Sequence, residues 1–456
     1  MTAARTLFAE HALLPEGWAR DVLLAWNDAG TLTEVRAGAA PAGPRASGPL
    51  VPGMPNLHSH AFQRAFAGLT EYRSAAADSF WTWREAMYRF ALAVSPEQLE
   101  AIATQLYVEM LRAGYTSVCE FHYLHHSPSG APYADPAEMA LRLTSAARRA
   151  GIGLTLLPVL YCHAGFGATP PRPDQRRFIN SVDGLLRIAQ RCAEHGARIG
   201  VAPHSLRAVA PDELGAVVVG LRAIDANAPI HLHIAEQQSE VDDCVAWSGT
   251  RPVRWLLDHA PVDGRWCLVH ATHLDADEAH ALARSGAVVG LCPSTEANLG
   301  DGIFDAPTYL DADGRWGIGS DSHASVSVVD ELRLLELGQR LRRQQRNVLA
   351  SAGQPTIAER LWLAAAEGGA QAAGQPAGRL AVGRRADFVV LATDGTHAQL
   401  SPARTLASAV FVQAGARAIR DVWVGGHRRV ADGAHDLDAS AQAGFVAARS
   451  QLLANA

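Results

Sequence analysis

The 456-residue chain contains no lysine; all 40 residues of its Lys+Arg total are arginine. This excludes a Schiff-base lysine, a pyridoxal-phosphate lysine, a P-loop lysine and a carbamylated-lysine bridge between two metal ions. Cysteine is scarce as well. Cys119, Cys162, Cys192, Cys244, Cys267 and Cys292 are widely spaced and form no Cys-x-x-Cys pair, which argues against a disulfide framework in a chain this long. Four of them sit in apolar, strand-like runs, where buried free thiols are common. A basic excess is also missing. The formal net charge is −6, so nothing marks a nucleic-acid or anionic-membrane partner. The arginine-rich run at 340–346 is interspersed with glutamine and reads as a solvated helix face. No run of about 18 apolar residues marks a membrane span. No apolar signal core follows Met1-Thr2-Ala3-Ala4-Arg5, so the expected location is cytoplasmic.

What is present suits a large globular chain. With 48% hydrophobic and 19% charged residues, there is ample material for a core. Proline and glycine cluster in Ala40-Pro41-Ala42-Gly43-Pro44 and again in Pro52-Gly53-Met54-Pro55, marking a crossing between two units. Upstream, apolar segments at 21–26 and 31–35 flank the turn Asn27-Asp28-Ala29-Gly30, a β-hairpin pattern. Downstream, eight short apolar runs alternate with helix-like stretches, at 50–57, 117–123, 153–161, 198–204, 229–235, 267–271, 287–292 and 316–319. Near-continuous apolar runs mark strands buried on both faces of a parallel sheet. One helix is sharply signalled. Ser95, Pro96 and Gln98 form a capping-box start, Leu99, Ile102, Ala103, Leu106 and Met110 share one face, and Gly114 ends it. The predicted fold class is α/β, a (β/α)8 barrel over residues 53–373. Residues 1–52 and 374–456 are expected to pack together as a small β-sandwich beside it, with 379–391, 407–412 and 421–424 reading as β.

Side chains of metal-ligand and acid–base type fall at the C-terminal ends of the predicted strands, the face where barrel enzymes build their sites. His58 and His60 follow the first strand. Positions i and i+2 of an extended chain share a side, so both imidazoles can reach one ion. His233 and Glu236 close the fifth run, His270 the sixth and Asp321 the eighth. A lone His-x-His means little in a chain with 19 histidines. Four strand ends in barrel order, each with a ligand-type side chain, form a far more specific pattern. Three imidazoles with one carboxylate suit zinc, and iron or manganese also suit that donor set. His122, His125 and His126 crowd one loop and read as pocket rim or solvent-facing. His163 begins a lid-like loop, His273 reads as support or surface, and Cys292 as core.

The constellation resembles the amidohydrolase superfamily. The resemblance covers most of the chain, because Gly383-Arg384-Arg385-Ala386-Asp387-Phe388-Val389-Val390-Leu391 is similar to that superfamily's C-terminal return to its sandwich. Binuclear members need the carbamylated lysine, so a lysine-free chain falls with the mononuclear, deaminase-like branch. A narrower resemblance is to the N-formimino-L-glutamate deiminases, the HutF family of histidine breakdown. It rests on Met54-Pro55-Asn56-Leu57-His58-Ser59-His60-Ala61-Phe62-Gln63-Arg64-Ala65, on Phe80-Trp81-Thr82-Trp83-Arg84, on Cys119-Glu120-Phe121-His122-Tyr123-Leu124-His125-His126 and on Ala202-Pro203-His204-Ser205-Leu206-Arg207.

That resemblance implies hydrolysis of formimino-glutamate to formyl-glutamate and ammonia, one zinc ion per subunit and a homodimer. It implies that His58, His60, His233 and Asp321 bind the metal. His270 and Asp321 would orient or deprotonate water, and Glu236 would carry a proton to the departing nitrogen. For a substrate with two carboxylates it implies Arg84, Arg207, His204 and Tyr123 as anchors, with Gln63 holding the substrate near the metal. An arginine fork matches a carboxylate. On the residues alone, Arg84 beside aromatics also reads as a stacked structural arginine, and His204 as a residue that holds a loop. Two other functions stand beside this one. A nucleobase or aminotriazine-type aminohydrolase on the same scaffold calls for aromatic stackers and amides, whereas this chain offers paired arginines. A metal-free scaffold protein calls for a lost ligand or a lost Glu–His pair, and all six positions are filled.

Overall fold

The computed structural model describes residues 5–71, 80–393, 399–412 and 418–454. The side chains at 80–82, 85 and 86 lie outside the described residues, and with them the Phe80-Trp81-Thr82 part of one motif. The N-terminal strands are β1 (Arg5–Leu14), β2 (Gly17–Trp26), β3 (Leu32–Arg36) and β4 (Leu50–Pro52). Next come β5 (Met54–Ser59), β6 (Tyr115–His122), β7 (Gly153–Leu160), β8 (Arg198–Ile199), β9 (Ala202–Pro203), β10 (Ile230–Ile234), β11 (Trp266–His270), β12 (Val288–Leu291) and β13 (Arg315–Ile318). The last strands are β14 (Phe388–Leu391), β15 (Ile419–Val424), β16 (His427–Ala431) and β17 (Ala434–His435).

Strands β5 to β13 pair in parallel as two sheets, β5-β6-β7-β8 with β9 beside β7, and β10-β11-β12-β13. Isolated parallel bridges join these sheets at both edges. Val201 meets Ile230 and Ser205 meets His233 on one side, and Ser59 meets Asp321 on the other. The strand order therefore returns to its start, with helices between successive strands except the adjacent β8 and β9, as in a (β/α)8 architecture. Asn56 stitches the second seam. Its Nδ2 donates to Ser320 Oγ at 2.7 Å, while its Oδ1 accepts from the backbone N–H groups of Ser320 and His58.

The run at 50–57 is two strands rather than one. β4 leaves the barrel and pairs with β1 and β14 instead. Gly53 is the joint: its N–H donates to Asp387 O, and a Cβ there would lie 2.5 Å from Thr116 Cγ2. Both halves are apolar, so hydrophobicity alone does not reveal the break. Through β4, the two ends of the chain meet in one eight-stranded sheet ordered β17-β16-β15-β14-β4-β1-β2-β3. The expected hairpin is there as the antiparallel pair β2–β3, with Ala25 opposite Glu34. Trp26, Phe388 and Trp423 pack ring to ring in this sheet.

The segment 407–412, read as β, is instead the end of the helix Pro402–Phe411. Proline at its start favours the first helical turn. Leu406, Ala409 and Val410 then form a buried helical face, a spacing of three and four residues that a short β-rich reading overlooks.

Helix α1 (Phe80–Ala93) precedes helix α2 (Pro96–Arg112). The capping box of α2 is formed in full: Ser95 Oγ accepts from Gln98 N–H, and Gln98 Oε1 accepts from Ser95 N–H. Its apolar face, Leu99, Ile102, Ala103, Leu106 and Met110, is buried, each large side chain contributing about 1.5–3 kcal/mol. All six cysteines are free thiols. Among the described residues, no helix is long and apolar enough to cross a membrane.

Candidate active site

The strand ends converge on one point. His58 lies in β5, His60 just beyond it, His233 in β10, His270 at the end of β11 and Asp321 shortly after β13. The backbone bends sharply there. Ala235, His270, Ala271, Asp321 and His323 all have positive φ, between 42° and 69°. Such conformations cost about 1–3 kcal/mol each and cluster at functional sites.

His58 Nε2 lies 3.1 Å from His60 Nε2 and 2.9 Å from His233 Nε2, and Asp321 Oδ1 lies 3.4 and 3.3 Å from the first two nitrogens. Two carbonyls fix the tautomers. His60 Nδ1 faces Phe121 O at 2.9 Å, and His233 Nδ1 faces His204 O at 3.2 Å. A carbonyl only accepts, so each Nδ1 carries the proton and each Nε2 aims a lone pair into the cluster. Burial is the main force keeping these rings neutral. It pushes His58 down to about 3 and lowers His60 and His233 as well.

Lone pairs this close repel unless a cation lies between them. Ligands of tetrahedral zinc at about 2.0–2.1 Å sit about 3.3 Å apart, close to the spacing found. The donor chemistry fits such an ion. Both His58–His60–Asp321 and His58–His233–His270 offer ligand atoms near enough to share one. Phe121 packs its ring 4.4–5.2 Å from those of His58, His60 and His233 and restricts their rotation. Gly319 leaves room beside His58, since a Cβ there would lie 2.7 Å from His58 Cβ.

Carboxylates surround this cluster. Burial opposes ionisation of Asp321, but hydrogen bonding to His58 and the charges of the neighbouring imidazoles hold it below the usual carboxylate range. Burial likewise opposes the charged form of His270. There Glu236 at 3.7 Å, Glu296 at 3.3 Å and Asp321 at 3.7 Å outweigh it and raise the ring to about 10. These three carboxylates set His270 apart from the other three histidines. Burial raises Glu236 to about 7, with His270 and Arg207 pulling the other way.

A cavity, open at its mouth, lies over the cluster. It is lined by His60, Gln63, Arg84, Tyr123, His204, Arg207, His233, Glu236, His270 and Asp321. Of the residues expected to bind metal, act in catalysis or hold substrate, only His58 is not at its wall; it is fully buried beneath. Gln63 Nε2 donates to the Tyr123 hydroxyl at 2.8 Å. Arg84 Nε donates to the Tyr88 hydroxyl at 2.8 Å, with its guanidinium over the Tyr88 ring. The stacked reading of Arg84 is thus realised together with a place at the cavity. Arg207 faces Glu236 at 4.0 Å and Glu240 at 3.8 Å. Burial works against its charge, but Glu240 and Glu236 more than offset that. His204 is kept neutral by burial and by the charge of Arg207.

The amidohydrolase family profile matches residues 50–429, and the profile of the formimidoylglutamate deiminase HutF N-terminal domain matches residues 4–45. The formimidoylglutamate deiminase of Pseudomonas aeruginosa is 56% identical over 454 residues, 98% of this chain and 99% of that protein. This chain belongs to the amidohydrolase family, in its formimidoylglutamate deiminase branch. The crystal structure of an amidohydrolase from Brucella melitensis superposes with a TM-score of 0.92 at 48% identity, covering 98% of this chain and all 100% of that one. An adenosine deaminase from Xanthomonas campestris with bound zinc shares the fold, with a TM-score of 0.78 at 22% identity over 98% of each chain.

Several residues of this amidohydrolase's site went unread in the sequence. Glu120 is buried and accepts from Ala61 N–H, Ser59 Oγ and Tyr107 OH, so it braces the His-x-His segment from behind. Burial lifts its carboxyl to about 7. Glu240 accepts from the Glu236 N–H and faces Arg207. Its position four residues after Glu236 is a signal that could have found it. Glu296 accepts from Cys292 N–H and meets His270 Nδ1. The histidines of the 122–126 loop are not at a solvent rim. His122 and His125 are buried, and His125 and His126 donate to the Val159 and Ile179 carbonyls. His125 and His126 thus fasten loops, which polarity alone did not indicate. His163 pairs with Glu213, His273 donates to Asp301 O, and Cys292 is core.

Proposed function

We propose that this amidohydrolase hydrolyses N-formimino-L-glutamate to N-formyl-L-glutamate and ammonia. The observation that carries the reading is one cavity walled by a buried imidazole–carboxylate cluster and by two arginines, the buried Arg84 and the largely buried Arg207. The first suits metal-assisted hydrolysis, and the second suits a substrate with two carboxylates. The name of the Pseudomonas relative supports the same substrate.

In this reading His58, His60, His233 and Asp321 hold zinc, which when bound supplies a Lewis acid that brings the ionisation of water toward about pH 7. Asp321 accepts a proton from the attacking water, and His270 orients that water. The water oxygen adds to the formimino carbon. Glu236, poised near neutrality, protonates the imine nitrogen as the oxygen adds. The C–N bond then breaks as that nitrogen takes the proton held by Asp321 and leaves as ammonia, while the hydroxyl proton of the adduct returns to Glu236 as the formyl C=O forms. Arg84, Arg207, His204 and Tyr123 anchor the carboxylates, and Gln63 orients Tyr123.

A nucleobase-type reading has one observation in its favour. Trp83, Tyr88, Tyr123, Tyr161 and Phe178 also line the cavity, and a flat ring could stack on them. A neutral base would offer no carboxylate to the guanidinium groups of Arg84 and Arg207 at the cavity wall, which argues against it.

The test is ammonia release by zinc-loaded protein from formimino-glutamate, formimino-aspartate, guanine and cytosine. Formimino-glutamate should be favoured over its one-methylene-shorter homologue by about tenfold or more. Chelation should bring release to background, and zinc should restore it. Release from a nucleobase alone would replace this reading with the other. A second prediction concerns Glu120. Glu120→Ala should weaken metal binding about 10–100-fold, as read by competition with a chromogenic chelator; unchanged affinity would confine Glu120 to a folding role.

A further inference from the structure

Arg207 lies between two carboxylates and is bonded to neither. Its Nη2 is 4.0 Å from Glu236 Oε2 and its Nε is 3.8 Å from Glu240 Oε2, beyond hydrogen-bond reach. Nε and Nη2 form one edge of a guanidinium. Elsewhere in this chain that edge closes on a single carboxylate: Arg64 reaches Glu109 through Nε at 2.8 Å and Nη2 at 3.2 Å. In Arg207 the edge is divided between two. Glu240 is tied back, because its Oε2 accepts from the Glu236 N–H at 3.2 Å and the residue sits in the first turn of the helix Gln238–Ser248. Glu240 is buried, and its Oε1, like Arg207 Nε, has no hydrogen-bond partner among the described residues. An open pair of desolvated charges recovers less of its burial cost than a closed one, so the separation calls for a reason.

We propose that Glu240 is a positioning residue, a counterweight that keeps the Arg207 guanidinium off Glu236 and so leaves its donors to a substrate carboxylate. The inference rests on the dicarboxylate reading above and deepens it. A guanidinium with one carboxylate in reach closes on it with two parallel hydrogen bonds. Closed on Glu236, Arg207 would be withheld from the substrate, and the carboxyl that serves the departing nitrogen would be occupied as well. A second charge on the Nε side, fixed by its own bond to the backbone, removes the preference for Glu236.

The test is Glu240→Gln, which keeps an oxygen to accept from the Glu236 N–H and removes only the charge. In the zinc-loaded enzyme KM for formimino-glutamate should rise about tenfold or more, because the substrate must displace a hydrogen bond between charged groups. kcat should stay within about twofold, since saturating substrate draws Arg207 back. The rise should vanish where Arg207 is already replaced: adding Glu240→Gln to Arg207→Met should leave the KM of Arg207→Met unchanged. A role confined to the Glu236 backbone predicts wild-type kinetics for Glu240→Gln, or equal losses with and without Arg207, and either result would overturn the proposal. A crystal structure of substrate-free Glu240→Gln decides it whatever the substrate is. Arg207 should lie about 3 Å from Glu236; a separation still near 4.0 Å would overturn the counterweight. If Glu240→Gln does not fold, Glu236→Gln tests the balance from the other side, and there Arg207 should close on Glu240. Arg207 closing as expected, with no turnover of formimino-glutamate by wild type, would fault the substrate reading alone.

Discussion

Asp321→Asn is expected to lower kcat for ammonia release by about 10³–10⁴-fold. The substitution keeps the size of the side chain and removes its charge and its proton-accepting oxygen. Asparagine is the better choice because Asp321 has φ near +42°, a region that asparagine tolerates and alanine does not. The seam between β5 and β13 should survive, since it is made by backbone groups and by the Asn56 side chain. Asp321 N–H donates to His58 O, and His60 N–H donates to Asp321 O. A loss of activity would then belong to the side chain. Three imidazoles lose a partner at once. His58 and His60 lose the carboxylate oxygen within 3.4 Å, and His270 loses one of the three carboxylates that hold its proton. Metal content and thermal unfolding should be measured beside turnover. Substantial turnover with metal still bound would remove Asp321 from the mechanism.

The parts of this site that were legible in the sequence share one property. Each is a polar side chain at the end of an apolar run, where a buried ligand-type residue stands out against its neighbours. His58, His60, His233, His270 and Asp321 are of that kind, and barrel order supplied their common face. Other parts lacked that contrast. Glu120 lies inside β6, but only its packing against Ser59 and Ala61 reveals its purpose. Gln175 is a polar residue in a proline- and arginine-rich loop, indistinguishable there from solvated surface, yet it is fully buried. The division of residues 50–57 at Gly53 depends on a contact with Thr116, which lies far along the chain. The helix Pro402–Phe411 was misread because alanine and valine dominate its end, and only its position against the neighbouring helices settles the period. Local pattern thus locates chemistry well and long-range support poorly.

Arg207→Met is expected to reduce kcat/KM for formimino-glutamate by about 10²–10³-fold, chiefly through KM, because removing one side of a buried charge pair costs about 2–5 kcal/mol. Arg207 is well placed for that role. Its contacts with Glu236 and Glu240 are 4.0 and 3.8 Å, too long for hydrogen bonds, so their charges stabilise the guanidinium without consuming its donors. Its Nε has no partner among the described residues. A substrate carboxylate can therefore take the fork directly. The same geometry predicts a second effect. Burial raises the Glu236 carboxyl to about 7, and Arg207 is one of the charges that restrains it. Without Arg207 that value must rise further, so the ionisation of Glu236 in the pH profile of kcat/KM should move to higher pH. Arg207→Lys separates the two contributions. It keeps the charge, and so should leave the Glu236 ionisation nearly in place, but it loses the planar fork and should still raise KM. Equal KM values for wild type, Arg207→Lys and Arg207→Met would remove Arg207 from carboxylate binding. A raised KM with an unmoved pH profile in Arg207→Met would keep the anchor and discard its coupling to Glu236.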